Sequence, residues 1–323
     1  MKIICWNIQK LNITKAAGRR GDIASAVAAA ANGEPFILFV LEARQNAQNA
    51  LGVANHICQA LQAAPHNIPN INVGRVDIGG NANRREDIVV VAGNGATFVN
   101  NGAYTDWHNA FDLSCRTQVI SAQAQEAART QRNNQLRETG PRVKRAKIFE
   151  ELMPLPATAF RNPANLTIGD GTNNYRALVL HSPGPADGEN YSYTTYAPHY
   201  NQAVLSSAVV NRFQIVMGDF NQHGDINTTL RDCTKGYGGT TKKHDGTKSV
   251  HRYDRVFTNL PVRVAVGTDN LADRTLTDHL FTVTTVPFVV APFNPGVFNF
   301  HPGGNGGAKL GHGSGGIVSL RAE

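Results

Sequence analysis

Short apolar runs, each closed by a polar residue, recur along this chain and alternate with stretches of helical spacing. Lys2–Asn7 reads as a strand and Phe36–Leu41 as a buried one. Between them Asp22–Ala31 is alanine-rich and predicts a helix with Asp22 as its N-cap. Leu51, Ala54, Ile57, Cys58 and Leu61 repeat at helical spacing and predict a second helix over 47–61. Ile71–Ile78 and Asp87–Ala92 read as strands, separated by the turn signal Gly79-Gly80-Asn81. Further strands are expected at 175–181, 213–217, 252–257, 262–266 and 279–283, with a helix over 202–211. Strands of about six residues interleaved with helices indicate an α/β (α+β) protein whose sheets are covered by helices.

The rhythm changes between Gly93 and Leu155. Cys115–Glu138 is polar, helix-favouring and poor in large apolar residues, so the segment reads as an inserted, exposed helical arm over about 94–154. Its second half holds Arg129, Arg132, Arg137, Arg142, Lys144, Arg145 and Lys147 against Glu138, nearly the whole net charge of +7. A concentrated basic stretch attracts polyanions by neutralising phosphates and releasing counterions, although many such runs are solvated helix faces. The expected organisation is one domain over 1–290 carrying that insertion, then a flexible glycine-rich tail over 291–323. Hydrophobic residues at 41% and charged residues at 17% fit a globular protein with a sizeable core. Apolar stretches such as Pro35–Leu41 are too short to span a bilayer, so no membrane partner is expected. Cys5, Cys58, Cys115 and Cys233 are scattered, which argues against zinc and for reduced thiols. The chain starts in a strand-like segment with no basic-then-apolar leader, so a cytoplasmic protein, or one exported by a leaderless route, is expected.

The residues that close the runs carry the chemistry. Asn7, Glu42 and Asp219 each end an apolar segment, and Asn221 stands two positions after Asp219, on the same side if the chain is extended. Asp278 adds a carboxylate. Carboxylate and amide oxygens are hard ligands, suited to Mg²⁺, Mn²⁺ or Ca²⁺. Each residue alone also fits a turn cap; their conjunction points to a cation site. His181 closes the strand 175–181, and His279 follows Asp278. A carboxylate beside each imidazole would fix its tautomer, with Glu86 and Asp254 as the candidate partners. His199, His223, His244, His251, His301 and His312 read as surface loop residues.

The series Trp6-Asn7, Leu41-Glu42-Ala43-Arg44, Arg85-Glu86, Leu180-His181-Ser182, Gly218-Asp219-Phe220-Asn221, Tyr253-Asp254-Arg255 and Thr277-Asp278-His279 resembles the endonuclease/exonuclease/phosphatase superfamily, with the blocks in the family's order. Glu42-Ala43-Arg44 and His181-Ser182 are similar to the deoxyribonuclease I-like branch, related to the catalytic subunit of cytolethal distending toxin. Tyr253-Asp254-Arg255 lacks the tryptophan–cysteine pair that inositol phosphatases carry before this block. The long insertion and the unpaired cysteines depart from the secreted deoxyribonucleases.

The resemblance implies a four-layered sandwich of two mixed β-sheets flanked by helices, with the site at one rim. It implies metal-dependent phosphodiester hydrolysis leaving a 5′-phosphate, here by a sequence-tolerant DNA endonuclease, with a bacterial toxin or effector nuclease as one setting. Mg²⁺, with Mn²⁺ or Ca²⁺ as alternatives, would be held by Glu42, Asp278 and Asn7, while Asp219 and Asn221 would bind a second ion or orient water. His279 held by Asp254 and His181 held by Glu86 would serve as base and acid. Arg44, Arg84, Arg142, Lys144, Arg145 and Lys147 are the expected DNA contacts, with Arg161 a further candidate. DNA is the expected partner, RNA an alternative, and the protein is expected to be a monomer; an inhibitory or immunity protein is a candidate partner. A phosphatase or phospholipase of the superfamily, or a catalytically silent nucleic-acid-binding member, are the alternative readings.

Overall fold

The computed structural model describes residues 1–44, 47–79, 86–115, 157–184, 196–222, 224–241, 251–267, 277 and 279–287, with backbone only at 9, 10, 44 and 47. Arg84, Arg142, Lys144, Arg145, Lys147, Asp278 and the tail 291–323 lie outside these residues, as does the side chain of Arg44.

Alternation of buried side chains builds two mixed six-stranded sheets. The first has the order β11 (Arg263–Val266), β12 (Thr282–Thr285), β1 (Lys2–Leu11), β2 (Phe36–Arg44), β4 (Glu86–Gly93) and β3 (Asn72–Asp77). The second runs β5 (Thr97–Ala103), β6 (Ala164–Gly169), β7 (Asn174–His181), β8 (Ile215–Asp219), β10 (Asp254–Thr258) and β9 (Arg231–Asp232). On β2, Ile37, Phe39 and Leu41 face the layer between the sheets, where Met217, Val179 and Val256 come from the second sheet. Phe36, Leu38 and Val40 face the other way, onto Ile23 and Val27 of α1 (Ile13–Ala31) and Val53, Ile57 and Leu61 of α2 (Ala47–Gln62). The outer face of the second sheet is covered by α3 (Ala197–Val210) and by residues 107–115, helical from 108, through Tyr200, Val204, Trp107 and Phe111. The result is the expected four-layered sandwich, and a period of two on each strand is what lets one sheet serve two layers.

Three expectations are corrected. The first helix starts at Ile13, nine residues before the expected cap, because Asn12 accepts from the Lys15 amide at 2.8 Å and nothing breaks the turn through Gly18 and Gly21. Part of the segment expected as an exposed insertion is integral: β5 pairs with β6, and Tyr104, Trp107, Phe111 and Cys115 are buried in the third apolar layer. Its aromatic residues, widely spaced among polar ones, hid a core contribution. His199, expected in a surface loop, is a half-buried residue of α3 whose Nδ1 meets Ser114 Oγ at 2.7 Å. Among the described residues no helix is long and apolar enough to cross a membrane.

Gly218 sets the approach of β7 to β8. Its φ of 141° excludes most side chains, and a Cβ there would overlap the carbonyl oxygen of Leu180, its register partner. Gly218→Ala is expected to lower stability by roughly 2–4 kcal/mol. Urea unfolding checks this; an unchanged midpoint would mean that the two strands part without penalty.

Candidate active site

Strand polarity brings the polar residues to one rim. Parallel β1 and β2 run toward it, as do parallel β7 and β8, and the antiparallel neighbours β4, β10 and β12 start from it. His181 and Asp219 therefore arrive at the ends of strands and Glu86 and Asp254 at the beginnings, while β1, expected to stop at Asn7, runs on through a register shift to Leu11 and β2 runs past Glu42 to Arg44. His181 and Asp254 both stand in register with Asp219, forming a row across three neighbouring strands.

Glu42 reaches the rim by a different route from the one expected. The strand does not stop there; it continues to Arg44 through a register shift between Val40 and Ala43. Glu42 is the extra residue, with φ 61°, and the following Ala43 lies in the helix-facing layer where strict alternation would have turned it inward. A non-glycine residue in the left-handed region at a bulge is strained by about 1–3 kcal/mol and marks a re-aimed side chain. Asn221 is corrected in the same way. It lies beyond β8 with φ 43°, so its nearness to Asp219 is not strand alternation. Its amide donates to Asp219 Oδ1 at 2.9 Å, a turn closed by the carboxylate.

Two imidazole–carboxylate pairs converge on Asp219. His181 Nδ1 lies 2.8 Å from Glu86 Oε2, and His279 Nδ1 lies 2.9 Å from Asp254 Oδ2. Arg161 Nη1 also approaches His181 Nδ1 at 2.9 Å, while pairing with Glu86. One ring nitrogen cannot both donate to Glu86 and accept from Arg161. The negative charge of Glu86 decides for donation, so the Nδ1–H tautomer is the stable one and Nε2 is left facing the site. Asp219 Oδ2 then lies 3.6 Å from His181 Nε2 and 3.8 Å from His279 Nε2, beyond hydrogen-bond length. The two Nε2 atoms thus flank a common position without being spent on Asp219.

His279 is held by its backbone. Trp6 Nε1 donates to its carbonyl at 3.3 Å, its amide donates to Thr277 Oγ1 at 3.0 Å, and Thr277 Oγ1 donates to Asn7 O at 2.7 Å. Burial pushes the Asp254 carboxyl above its usual range; the His279 imidazole pulls it back and the charge of Asp219 adds to the rise. Arg255, next in sequence, is buried, and desolvation lowers its pKa to about 10. It donates to the carbonyls of Gln222 at 2.6 Å and Gly224 at 2.7 Å, tying down the loop after Asn221.

The donor set fits a hard divalent cation. Asn7 Nδ2 donates to Asp219 Oδ2 at 2.9 Å and to Glu42 Oε1 at 3.2 Å, while its buried Oδ1 accepts no hydrogen bond among the described residues. A buried amide oxygen that meets no donor is costly, and a hard cation would satisfy it. Asp219, Asp254 and His279 also bring one ligand atom each to within 4.8 Å of one another. Glu42, Glu86 and Asp219 share this space with the guanidinium of Arg161. Desolvation opposes its charge, but Glu86, Glu42 and Asp219 outweigh that and hold its pKa above the usual value.

The structure therefore brings together Asn7, Glu42, Glu86, His181, Asp219, Asn221, Asp254 and His279. Sequence reasoning gave Arg161 only as a DNA contact and missed Asn201 altogether. Asn201 is the polar member of the buried stripe Ala197, Tyr200, Asn201, Val204, Leu205 and Ala208, a signal that helical spacing could have exposed.

This sandwich, with its polar rim, has the fold of the endonuclease/exonuclease/phosphatase superfamily. No protein-family model matches the chain, and no curated protein matches it by sequence. Solved structures do. Humanized D. rerio TDP2 carrying 14 mutations superimposes with a TM-score of 0.50 at 12% identity, covering 88% of this chain and 97% of that one. Truncated Caenorhabditis elegans TDP2 gives 0.50 at 11%, again over 88% and 97%. An endonuclease/exonuclease/phosphatase family protein from Bacteroides thetaiotaomicron gives 0.49 at 13%, over 88% and 96%. At such identities the likeness is one of fold.

The Arg161–Glu86 pair yields a stability test, since both side chains are nearly buried, at 12% and 4% exposure. Arg161→Met leaves a buried carboxylate without its cation and is expected to cost about 3 kcal/mol in urea unfolding. Glu86→Gln together with Arg161→Met should cost less than Arg161→Met alone. A double variant as unstable as the sum of the singles would deny the coupling.

Proposed function

We propose that this protein hydrolyses phosphodiester bonds of nucleic acid with the help of a divalent cation, as a sequence-tolerant DNA endonuclease. The observation that carries the reading is the convergence of two imidazole–carboxylate pairs, drawn from opposite sheets, on the oxygen cluster around Asp219.

The chemistry follows from the residues. Water attacks the phosphorus, the bond to the 3′ oxygen breaks, and a 5′-phosphate and a 3′-hydroxyl result. One Nε2 accepts the proton that the water gives up, and the other imidazole, entering protonated, delivers a proton to the leaving oxygen. Glu86 and Asp254 hold each ring in the tautomer that leaves Nε2 available and stabilise its positive form. Asn7, Glu42 and Asp219 would hold the cation, with Asp278 from the adjoining sequence; when bound, it supplies positive charge to phosphate oxygens as negative charge develops. Arg161 is fixed beside the same centre and adds a permanent charge. No serine or cysteine nucleophile is needed, because phosphoryl transfer depends on positioning and charge more than on covalent catalysis. Affinity for the substrate backbone would come from the basic run Arg129–Lys147, which holds DNA without reading its sequence. The TDP2 neighbours add the fold as support.

The test is relaxation of supercoiled plasmid in Mg²⁺ or Mn²⁺. The wild-type protein should nick it, chelator should stop the reaction, and His181→Ala, His279→Ala and Asp219→Ala should each reduce the rate by about 10²–10⁴-fold. Intact plasmid with the wild-type protein, alongside phosphate release from small phosphomonoesters, would overturn the reading.

A further inference from the structure

Asn221 leaves the extended backbone of β8, and besides the local turn on Asp219 a residue of another element braces it there. Its φ of 43° lies in the left-handed region, which asparagine enters more readily than other residues with a side chain, and Asp219 Oδ1 closes the turn locally by accepting from its backbone amide. Both flanks of Asn221 are tied to Asn201, a fully buried side chain on α3. Asn201 Nδ2 donates to the carbonyl of Phe220 at 2.8 Å and to Gln222 Oε1 at 2.8 Å. Its Oδ1 accepts from the hydroxyl of Ser182, itself fully buried.

Ser182 passes the constraint on. Its amide donates to Asp219 O at 2.8 Å, and its carbonyl accepts from Arg161 Nη2 at 3.0 Å and Asn221 Nδ2 at 3.1 Å. With Nδ2 of Asn221 engaged by Ser182, its Oδ1 is the end left to face a substrate or cation. Three segments, the ends of β7 and β8 and the N-terminal half of α3, are thereby joined through one amide side chain. A buried network satisfied at every member fixes a single arrangement and loses it when one member is removed.

We propose that Asn201 is a positioning residue of the active site: from the outer helix layer it holds Asn221 in the left-handed conformation and so sets the place of its Oδ1. Asn201 touches no reacting atom. This rests on the hydrolytic reading for its kinetic consequence, but its structural consequence can be observed without any turnover.

Two arms test it. In the crystal structure of Asn201→Ala, Asn221 should leave the left-handed region while β7 and β8 keep their register; an unchanged Asn221 φ overturns the proposal whether or not the protein cleaves anything. In the kinetic arm, Asn201→Ala should lower kcat on plasmid by about 10²-fold. KM should move by less than roughly three-fold, the pattern of a contact realised in the transition state. In the Asn221→Ala background, Asn201→Ala should cost nothing further in kcat; additive losses would reveal a general structural role instead. Ser182→Ala, which removes only one hydroxyl of the network, provides a milder variant should Asn201→Ala not fold, with a kcat loss of about ten-fold and the same non-additivity. Gln202→Ala, on the exposed side of the same helix, should leave kcat unchanged. Absence of turnover in the wild-type protein would sink the hydrolytic reading and leave the crystallographic arm to decide this one.

Discussion

Each catalytic candidate pair is made across the gap between the two sheets. His181 comes from β7 of the second sheet and its carboxylate, Glu86, from β4 of the first; Asp254 comes from β10 of the second and its imidazole, His279, from the approach to β12 of the first. Asn7 on β1 likewise reaches over to Asp219 on β8. The geometry of the rim is therefore the registration of one sheet on the other. That registration is set by the inner layer, where Cys5, Phe39 and Leu41 interdigitate with Val179, Met217 and Val256 at full burial. Close-packed interiors resist sliding, and a proton-transfer pair needs placement within about half an ångström. The apolar core thus does chemical work: it is the ruler for hydrogen bonds made at its edge.

Irregular backbone also occurs where the ruler ends. Glu42, Asn221 and Gly218 all depart from extended-strand dihedral angles; at Glu42 and Asn221 the departure redirects a polar side chain, and at Gly218 it admits the close approach of β7. Glu42 escapes the two-residue period by a bulge, Asn221 by a turn closed on Asp219, and Gly218 by having no side chain where β7 passes. A regular strand can present a residue only to one of two faces, both of which are packed here. Reaching the rim requires leaving that regularity, and the surrounding hydrogen bonds hold the irregular conformations.

This explains which parts were legible in the sequence. The strands of the inner layer were, because their apolar runs are continuous, and the residues that close those runs were, because a polar residue ending a buried strand has few places to go. The pairing of His181 with Glu86 and of His279 with Asp254 followed from the chemical need of a buried imidazole, with the motif order as a guide. Strands β5 and β9 escaped, since β5 is mostly exposed and β9 has two residues, leaving no pattern of period two to see, whereas β6 does alternate, with Ala164, Leu166 and Ile168 buried, and its signal was present in the sequence. The start of α1 escaped because two glycines look like breakers until the cap at Asn12 is known. Arg161 and Asn201 act through contacts distant in sequence, and their partners exist only once the sheets are assembled. Asp278 and the basic cluster Arg142, Lys144, Arg145 and Lys147 remain expectations.

Electrostatics joins these observations. Four carboxylates held near one another at the edge of an apolar core repel each other and any incoming phosphate, so the rim by itself is hostile to a nucleic acid. Arg161 answers part of that charge from a fixed position, and its raised pKa ensures that it does so at any physiological pH. The buried Oδ1 of Asn7 accepts from no group among the described residues, so a cation or another donor would be satisfied there. On the proposed reading the division of labour is spatial: a cation and Arg161 make the negative centre tolerable for one phosphate, while the basic run far along the sequence attracts the rest of the backbone. A polyanion would then be gripped at a distance by lysine and arginine, yet reach the carboxylates only when a cation accompanies it, which makes cleavage conditional on the metal while binding is not.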